Sequence, residues 1–171
     1  SAAAFALREK SALPRIAERT GLKVPRSEVA DSLEQVQPAA EKLGYPVVVK
    51  GNLHGASIVH SPVELVPAAQ LQAARFGYPL VLQEYVPGAE FDVAALAGPS
   101  SELIGAVPMK KLQLDDRGKA WGAITVEDSR LVEAARRAAR GLGWVGAFEL
   151  ELMRDEDTGE LNLIELNPRF P

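Results

Sequence analysis

The sequence predicts an α+β fold in two lobes, and three observations carry that prediction. Helical and strand patterns alternate over the first half of the chain. Antiparallel strand signals, one helix and a hairpin follow in the second half. Hydrophobic residues make up 47% of the 171, enough for a buried core. The formal net charge of −4 argues against a nonspecific nucleic-acid binder, though not against a small anionic ligand. The absence of cysteine removes disulfides, thiolate zinc sites and cysteine nucleophiles. No apolar run approaches the ~20 residues that span a bilayer, and no secretion signal is visible, so a cytoplasmic protein without a membrane partner is expected.

Taken in order, residues 5–20 carry Phe5, Leu7, Leu13, Ile16 and Ala17 on an irregular helical face that stops at Gly21, with Pro14 marking a start or a kink. Gly21–Pro25 turns the chain into an extended segment. Leu33, Val36, Ala40 and Leu43 give a second helix over 32–43, stopped by Gly44 despite Pro38 inside it. Tyr45–Lys50 is a β-branched run that reads as a strand buried on both faces. The loop 51–56 leads to a short strand at 57–60. Pro62 opens a helix through Arg75, ended by Gly77. Residues 81–86 form a second buried strand, and Pro87-Gly88 reads as a turn. Strands at 90–96 and 102–107 pair around Gly98–Ser101, and 109–122 read as irregular and charged. Val126–Arg140 is a helix with Leu131, Ala134, Ala135 and Ala138 on one face and Gly141 as its cap. Residues 146–153 and 161–166 close the chain as two strands around a polar turn.

Four groups of residues carry chemistry. Lys50 ends a buried strand; it can simply snorkel to solvent, or supply a point charge to phosphates at that strand end. The small polar loop after it can close over a ligand with backbone N–H groups, or only join two strands. Gln83–Val86 runs from a strand into a turn, where exposed main-chain groups can read a planar base or merely be solvated, with Glu90 beyond. Glu149 and Glu151 alternate with apolar residues and share a face, as do Glu165 and Asn167 on the next strand. Carboxylates so placed repel unless a cation neutralises them, and carboxylate plus amide oxygen suits magnesium. The fourth is Lys10, a helix lysine without distinction of its own. Of the two histidines, His60 reads as a surface strand residue, while His54 in the loop is a weak candidate for phosphate or substrate contact.

In order and spacing these pieces resemble the ATP-grasp superfamily, over nearly the whole chain from Lys10 to Arg169. LIELNPRF at 163–170 is similar to its magnesium-binding strand, GYPVVVK at 44–50 to its strand ending in a phosphate-binding lysine, and VLQEYVPGAEFDV at 81–93 to its nucleotide hinge. The look is nearest to carbamoyl-phosphate-synthase-like and biotin-carboxylase-like members, with D-alanine ligases further off. The resemblance implies an ATP-grasp fold of two α+β lobes with the nucleotide between them. Residues 1–23 would be an N-terminal helix and linker, 24–83 the small lobe, and 84–171 the large lobe, cut short at its C-terminal end. Lys10 and Lys50 would touch the phosphates and Gln83 the adenine amino group. Glu84, Tyr85 and Val86 would line the base, two of them through main-chain groups, and Glu90 would bind the ribose. Glu149, Glu165 and Asn167 would hold magnesium, or manganese in its place, with Glu151 competing with Glu149. Arg169 would face the γ-phosphate or an acyl phosphate.

The loop after Lys50 lacks the glycine run of many members. The family's preceding α/β domain and the chain beyond Asn-Pro-Arg are also expected to be missing partners of this segment. The activity so implied is an ATP- and magnesium-dependent ligase core. It would activate an unidentified carboxylate as an acyl phosphate for attack by an amine or similar nucleophile, and a homo-oligomer is compatible with it. The rival readings are a non-catalytic nucleotide-binding module and an α+β interaction domain whose acidic hairpin meets calcium or a protein.

Overall fold

The computed structural model describes residues 6–114 and 120–170. Phe5, and residues 115–119 of the segment read as irregular, lie outside them. The described chain is α+β, with two antiparallel sheets in two compact units. Its helices are α1 (Leu13–Thr20), α2 (Leu33–Leu43), α3 (Pro62–Phe76) and α4 (Ser129–Leu142). A short 3-10 turn, Lys10–Ala12, precedes α1, so Pro14 sits in the first turn of that helix, where its missing N–H costs nothing.

One unit takes in residues 9–11 and 25–85. Its sheet has the order β1-β4-β2-β3, from β1 (Ser27–Ala30), β2 (Val47–Gly51), β3 (Ala56–Val59) and β4 (Leu80–Glu84). β1 was legible only as an extended segment, because a four-residue stretch with Ser27 and Glu28 shows no clean alternation. The strand expected over 81–86 instead ends at Glu84, whose last ladder partner is Val47, and Tyr85 and Val86 lie beyond it. One face of this sheet is apolar. Ala30, Val47, Val49, Leu80 and Leu82 pack there with Val36, Ala39 and Ala40 of α2 and Leu65 and Ala69 of α3. Period-two alternation therefore sends Ser27, Lys50 and Gln83 to the opposite face.

The other unit comprises 12–24, the chain from Val86 onward and the described residues before Glu9. Its sheet runs β7-β6-β5-β8-β9, from β5 (Gly88–Ala97), β6 (Leu103–Leu114), β7 (Ala120–Thr125), β8 (Gly146–Asp155) and β9 (Leu161–Asn167). Two expectations are corrected here. Within the segment read as irregular, residues 109–114 complete β6 and 120–122 begin β7. Their charge suggested a loop, but the ladders to β5 and between β6 and β7 are long-range pairings that local composition does not show. Likewise Gly88 begins β5 rather than staying in a turn.

Helix α4 also shifts. Val126 is tied to the sheet by its N–H to Pro108 O, 3.0 Å, and the helix starts three residues later at Ser129. Asp128 is its N-cap, accepting from Arg130 N at 2.9 Å. It ends not at Gly141 but at Gly143, which has φ +64° and donates to Ala139 O and Arg140 O. Gly141 answers a different need: a Cβ there would lie 2.5 Å from Arg19 O, so only glycine lets α1 and α4 approach this closely.

The core of this unit fills one face of the five-stranded sheet. Phe91, Val93, Ala95, Phe148, Leu150 and Leu152 pack there with Leu13 and Ile16 of α1 and Leu131, Ala135 and Ala138 of α4. The opposite face holds a cluster of polar side chains, and it carries the chemistry described next.

Candidate functional site

On β8, Glu149 and Glu151 face away from the core. Ladder register puts Glu149 opposite Asn167, Glu151 opposite Glu165, and Asp92 of β5 opposite Glu151 on its other side. Directly opposed residues of a sheet share a face, so Asp92, Glu149, Glu151, Glu165 and Asn167 line one surface, joined by Glu90 two residues before Asp92. The hairpin geometry read from the sequence is thus observed, by a route the sequence did not show. The pairing slips by one residue beside Glu151, so that Leu152 faces Leu163 and Ile164 has no partner of its own. This β-bulge lets Leu163 and Leu166 both enter the core while Glu165 and Asn167 keep the polar face.

A lysine stands among these carboxylates. Lys111 Nζ lies 2.5 Å from Glu90 Oε1, 2.9 Å from Glu151 Oε2 and 3.1 Å from Asp92 Oδ1, and its side chain is only 5% exposed. Asp92 Oδ1 is ion-paired without hydrogen-bond geometry. Burial alone would lower the ammonium's pKa, but attraction from Glu151, Glu90 and Asp92 outweighs it and leaves Lys111 raised and charged. The carboxylates remain crowded. Burial lifts Asp92 to about 6 against the pull of Lys111, with Glu151 and Glu90 adding to the rise. Burial also lifts Glu149 to about 7, with Glu151 and Asp92 repelling and Arg169 and Lys111 attracting. Arg169 Nη1 lies 3.5 Å from Glu149 Oε2, and Asn167 Nδ2 donates to Glu151 Oε1 at 3.1 Å.

Asp92 and Lys111 did not emerge from the sequence. The alternation of Glu90 and Asp92 around Phe91 was the available signal for the first. Lys111 had none, because its importance lies in three partners from two other strands. Side-chain oxygens of Glu90, Asp92 and Glu151 lie within 4.8 Å of one another, which makes them a second set able to hold a cation, one that Lys111 now satisfies.

In the other unit, Lys50 and Gln83 meet on the face of the four-stranded sheet opposite its helices. Lys50 Nζ donates to Gln83 Oε1 at 2.6 Å, and both side chains are buried. Lys10 is buried too, its Nζ donating to Leu53 O at 2.8 Å and its N–H to Asn52 O at 2.9 Å, so it holds the loop that follows β2. Glu84 forms an exposed pair with Arg26 at 3.1 Å, and its N–H donates to Arg26 O. Tyr85 and Val86 are half-buried. His54 is exposed, with its ring 6.3 Å from that of Phe76. His60 is exposed as expected, but it lies just beyond β3 rather than in it, its N–H donating to Glu64 Oε2.

Comparisons with known proteins agree with this architecture. Sequence relatives include a D-alanine–D-alanine ligase of Ectopseudomonas mendocina, 30% identical over 159 residues, covering 86% of this chain and 50% of the relative. They also include the carbamoyl phosphate synthase large chain of Bifidobacterium adolescentis, 27% identical over 179 residues, covering 94% and 16%. Identity this similar does not rank the two branches. The chain spans about half the length of the first curated relatives it matches. Among solved structures, the biotin carboxylase domain of Hydrogenobacter thermophilus 2-oxoglutarate carboxylase, in complex with MgADP, ADP and bicarbonate, superposes with a TM-score of 0.81 at 21% identity, covering 96% of this chain and 40% of that one. That likeness shows the fold. The family described as ATP-grasp in the biosynthetic pathway with Ter operon matches residues 77–171. Because that match covers more than half of the sequence, including both strands of the acidic hairpin, the chain belongs to the ATP-grasp family.

Proposed function

We propose that this chain is the nucleotide- and metal-binding core of an ATP-dependent carboxylate–amine ligase. The observation that carries the reading is the polar face of the five-stranded sheet. There several carboxylates are gathered by long-range pairing, two of them pushed toward neutrality by burial and mutual repulsion. Such a surface calls for a cation, and its oxygen donors suit a hard divalent ion. Glu149, Glu165 and Asn167 would hold magnesium, or manganese in its place, with Glu151 and Asp92 next to them. When bound, the ion offsets negative charge on the transferring phosphoryl group.

The chain's own residues would do the rest. Lys10 and Lys50 present ammonium groups to the phosphates, with Gln83 bonded to Lys50. Main-chain groups of Glu84 and Val86, beside Tyr85, meet the adenine edge, and Glu90 meets the ribose. Lys111 and Arg169 are cations already seated among the carboxylates. Both would steady charge on the transferring phosphoryl or on an acyl phosphate. The chain spans 50% of the D-alanine–D-alanine ligase and 16% of the carbamoyl phosphate synthase large chain, so the acyl acceptor and nucleophile belong to the activity of the whole protein.

Calorimetry with Mg-ADP tests the reading. Wild type should bind; Lys50→Ala should bind about 10- to 100-fold more weakly, as for loss of a charge-assisted contact. Glu165→Gln should remove most of the dependence on magnesium. Equal affinity in all three proteins would sink the proposal.

A further inference from the structure

The face of the four-stranded sheet that bears Lys50 contains a hydrogen-bonded chain that reaches this lysine from two strands away. Ser27 of β1 and Gln83 of β4 are directly opposed in register, and Lys50 of β2 lies diagonally beyond Gln83 on the same face. Ser27 Oγ donates to Pro25 O at 3.1 Å. Its lone pair accepts from Gln83 Nε2 at 3.2 Å, and Gln83 Oε1 accepts from Lys50 Nζ at 2.6 Å. The Gln83 side chain is only 1% exposed, so both ends of its amide depend on protein partners.

The direction of this chain follows from donor and acceptor chemistry. Pro25 contributes a carbonyl, which only accepts, so the single Ser27 proton is committed to it. Ser27 then has only acceptor capacity left for Gln83, which must turn its NH₂ that way. The amide oxygen is thereby directed at Lys50, an ammonium that can only donate. A flipped amide would set N–H against ammonium and oxygen against the oxygen of Ser27. The sense of the Gln83 amide is therefore set by Lys50, and Ser27 anchors the other end of that amide.

We propose that Ser27 is a positioning residue for the nucleotide site: through Gln83 it fixes where the Lys50 ammonium stands. This rests on the nucleotide reading above. Ser27 touches no nucleotide itself; it acts by restricting the rotamers of a long, buried lysine whose placement sets its distance to a phosphate.

The test combines calorimetry, thermal melts and NMR on the 171-residue chain. Ser27→Ala should weaken Mg-ADP binding about three- to tenfold, the worth of one hydrogen bond, and Ser27→Thr, which keeps the hydroxyl, should bind like wild type. Added to Lys50→Met, Ser27→Ala should have no further effect on affinity, because the lysine it positions is gone. A loss of the same size in that background would overturn the proposal, since Ser27 would then be acting on the fold at large. Unchanged affinity of Ser27→Ala beside a binding wild type would overturn it while leaving the nucleotide reading intact. If the folded wild type binds no Mg-ADP, the nucleotide reading fails and this proposal with it. Independently of any variant, the Gln83 side-chain amide protons should exchange slowly in the ligand-free protein. Exchange at the solvent rate would show that the relay is not formed.

Discussion

At the scale of single residues, the polar sheet face balances attraction against crowding, and two substitutions separate them. Lys111 is paired to three carboxylates, so Lys111→Met leaves buried Asp92 and half-buried Glu90 and Glu151 without that cation. It should destabilise the chain by about 3–5 kcal/mol, read by denaturant melts. A loss below ~1 kcal/mol would mean that solvent screens the cluster. Glu149 tests the opposite effect. Its folded pKa, about 7, is raised above the ordinary 4.5, so the folded state binds a proton that the unfolded state has released between those values. The stability that this proton contributes is present below about 4.5 and is lost as pH rises through about 7. Glu149→Gln mimics the protonated form. In metal-free buffer its advantage over wild type should therefore grow as pH rises across that window; a constant difference would contradict the raised pKa.

At the scale of elements, glycines show two distinct demands. Gly143 ends α4 with φ +64° and has open space where a Cβ would go, so Gly143→Ala meets only backbone strain, roughly 1–2 kcal/mol. Gly88 begins β5 with φ +142°, and a Cβ there would fall 1.9 Å from Arg154 O on β8. Gly88→Ala must distort the ladder between β5 and β8 and should lower the melting temperature well beyond Gly143→Ala. Equal shifts would show that the two strands part easily at that end. Sequence placed the stop of α4 two residues early, at Gly141, and it took Gly88 for a turn, because close approach to β8 is not encoded near Gly88. The bulge at Ile164 is similar. In 161–167 a strict alternation would group Leu163 with Glu165 and Asn167, and only pairing with β8 sends Leu163 to the core.

At the scale of the whole molecule, the proposed nucleotide site predicts a choice of base. Main-chain reading at Glu84–Val86 would favour adenine, since guanine reverses the donor–acceptor pattern of the edge. Competition calorimetry should show Mg-ATP bound at least about tenfold more tightly than Mg-GTP, the cost of a mismatched pair. Equal affinities would remove the base from the recognition. No helix among the described residues is long and apolar enough to cross a membrane. By itself the sequence determined the α+β class, the buried strands at Lys50 and Gln83, a hairpin that brings Glu149 or Glu151 to the face of Glu165 and Asn167, and a family resemblance that the match over 77–171 supports. These follow from periods of two and 3.6 residues and from short motifs, which are local properties. Only the tertiary structure decided that Lys111 stands among Glu90, Asp92 and Glu151, and that Ser27 is bonded to Lys50 through Gln83. Such groups are far apart along the chain and adjacent only after strands pair, and the low dielectric of a buried sheet face then makes a neighbour a few ångströms away outweigh everything nearby in sequence.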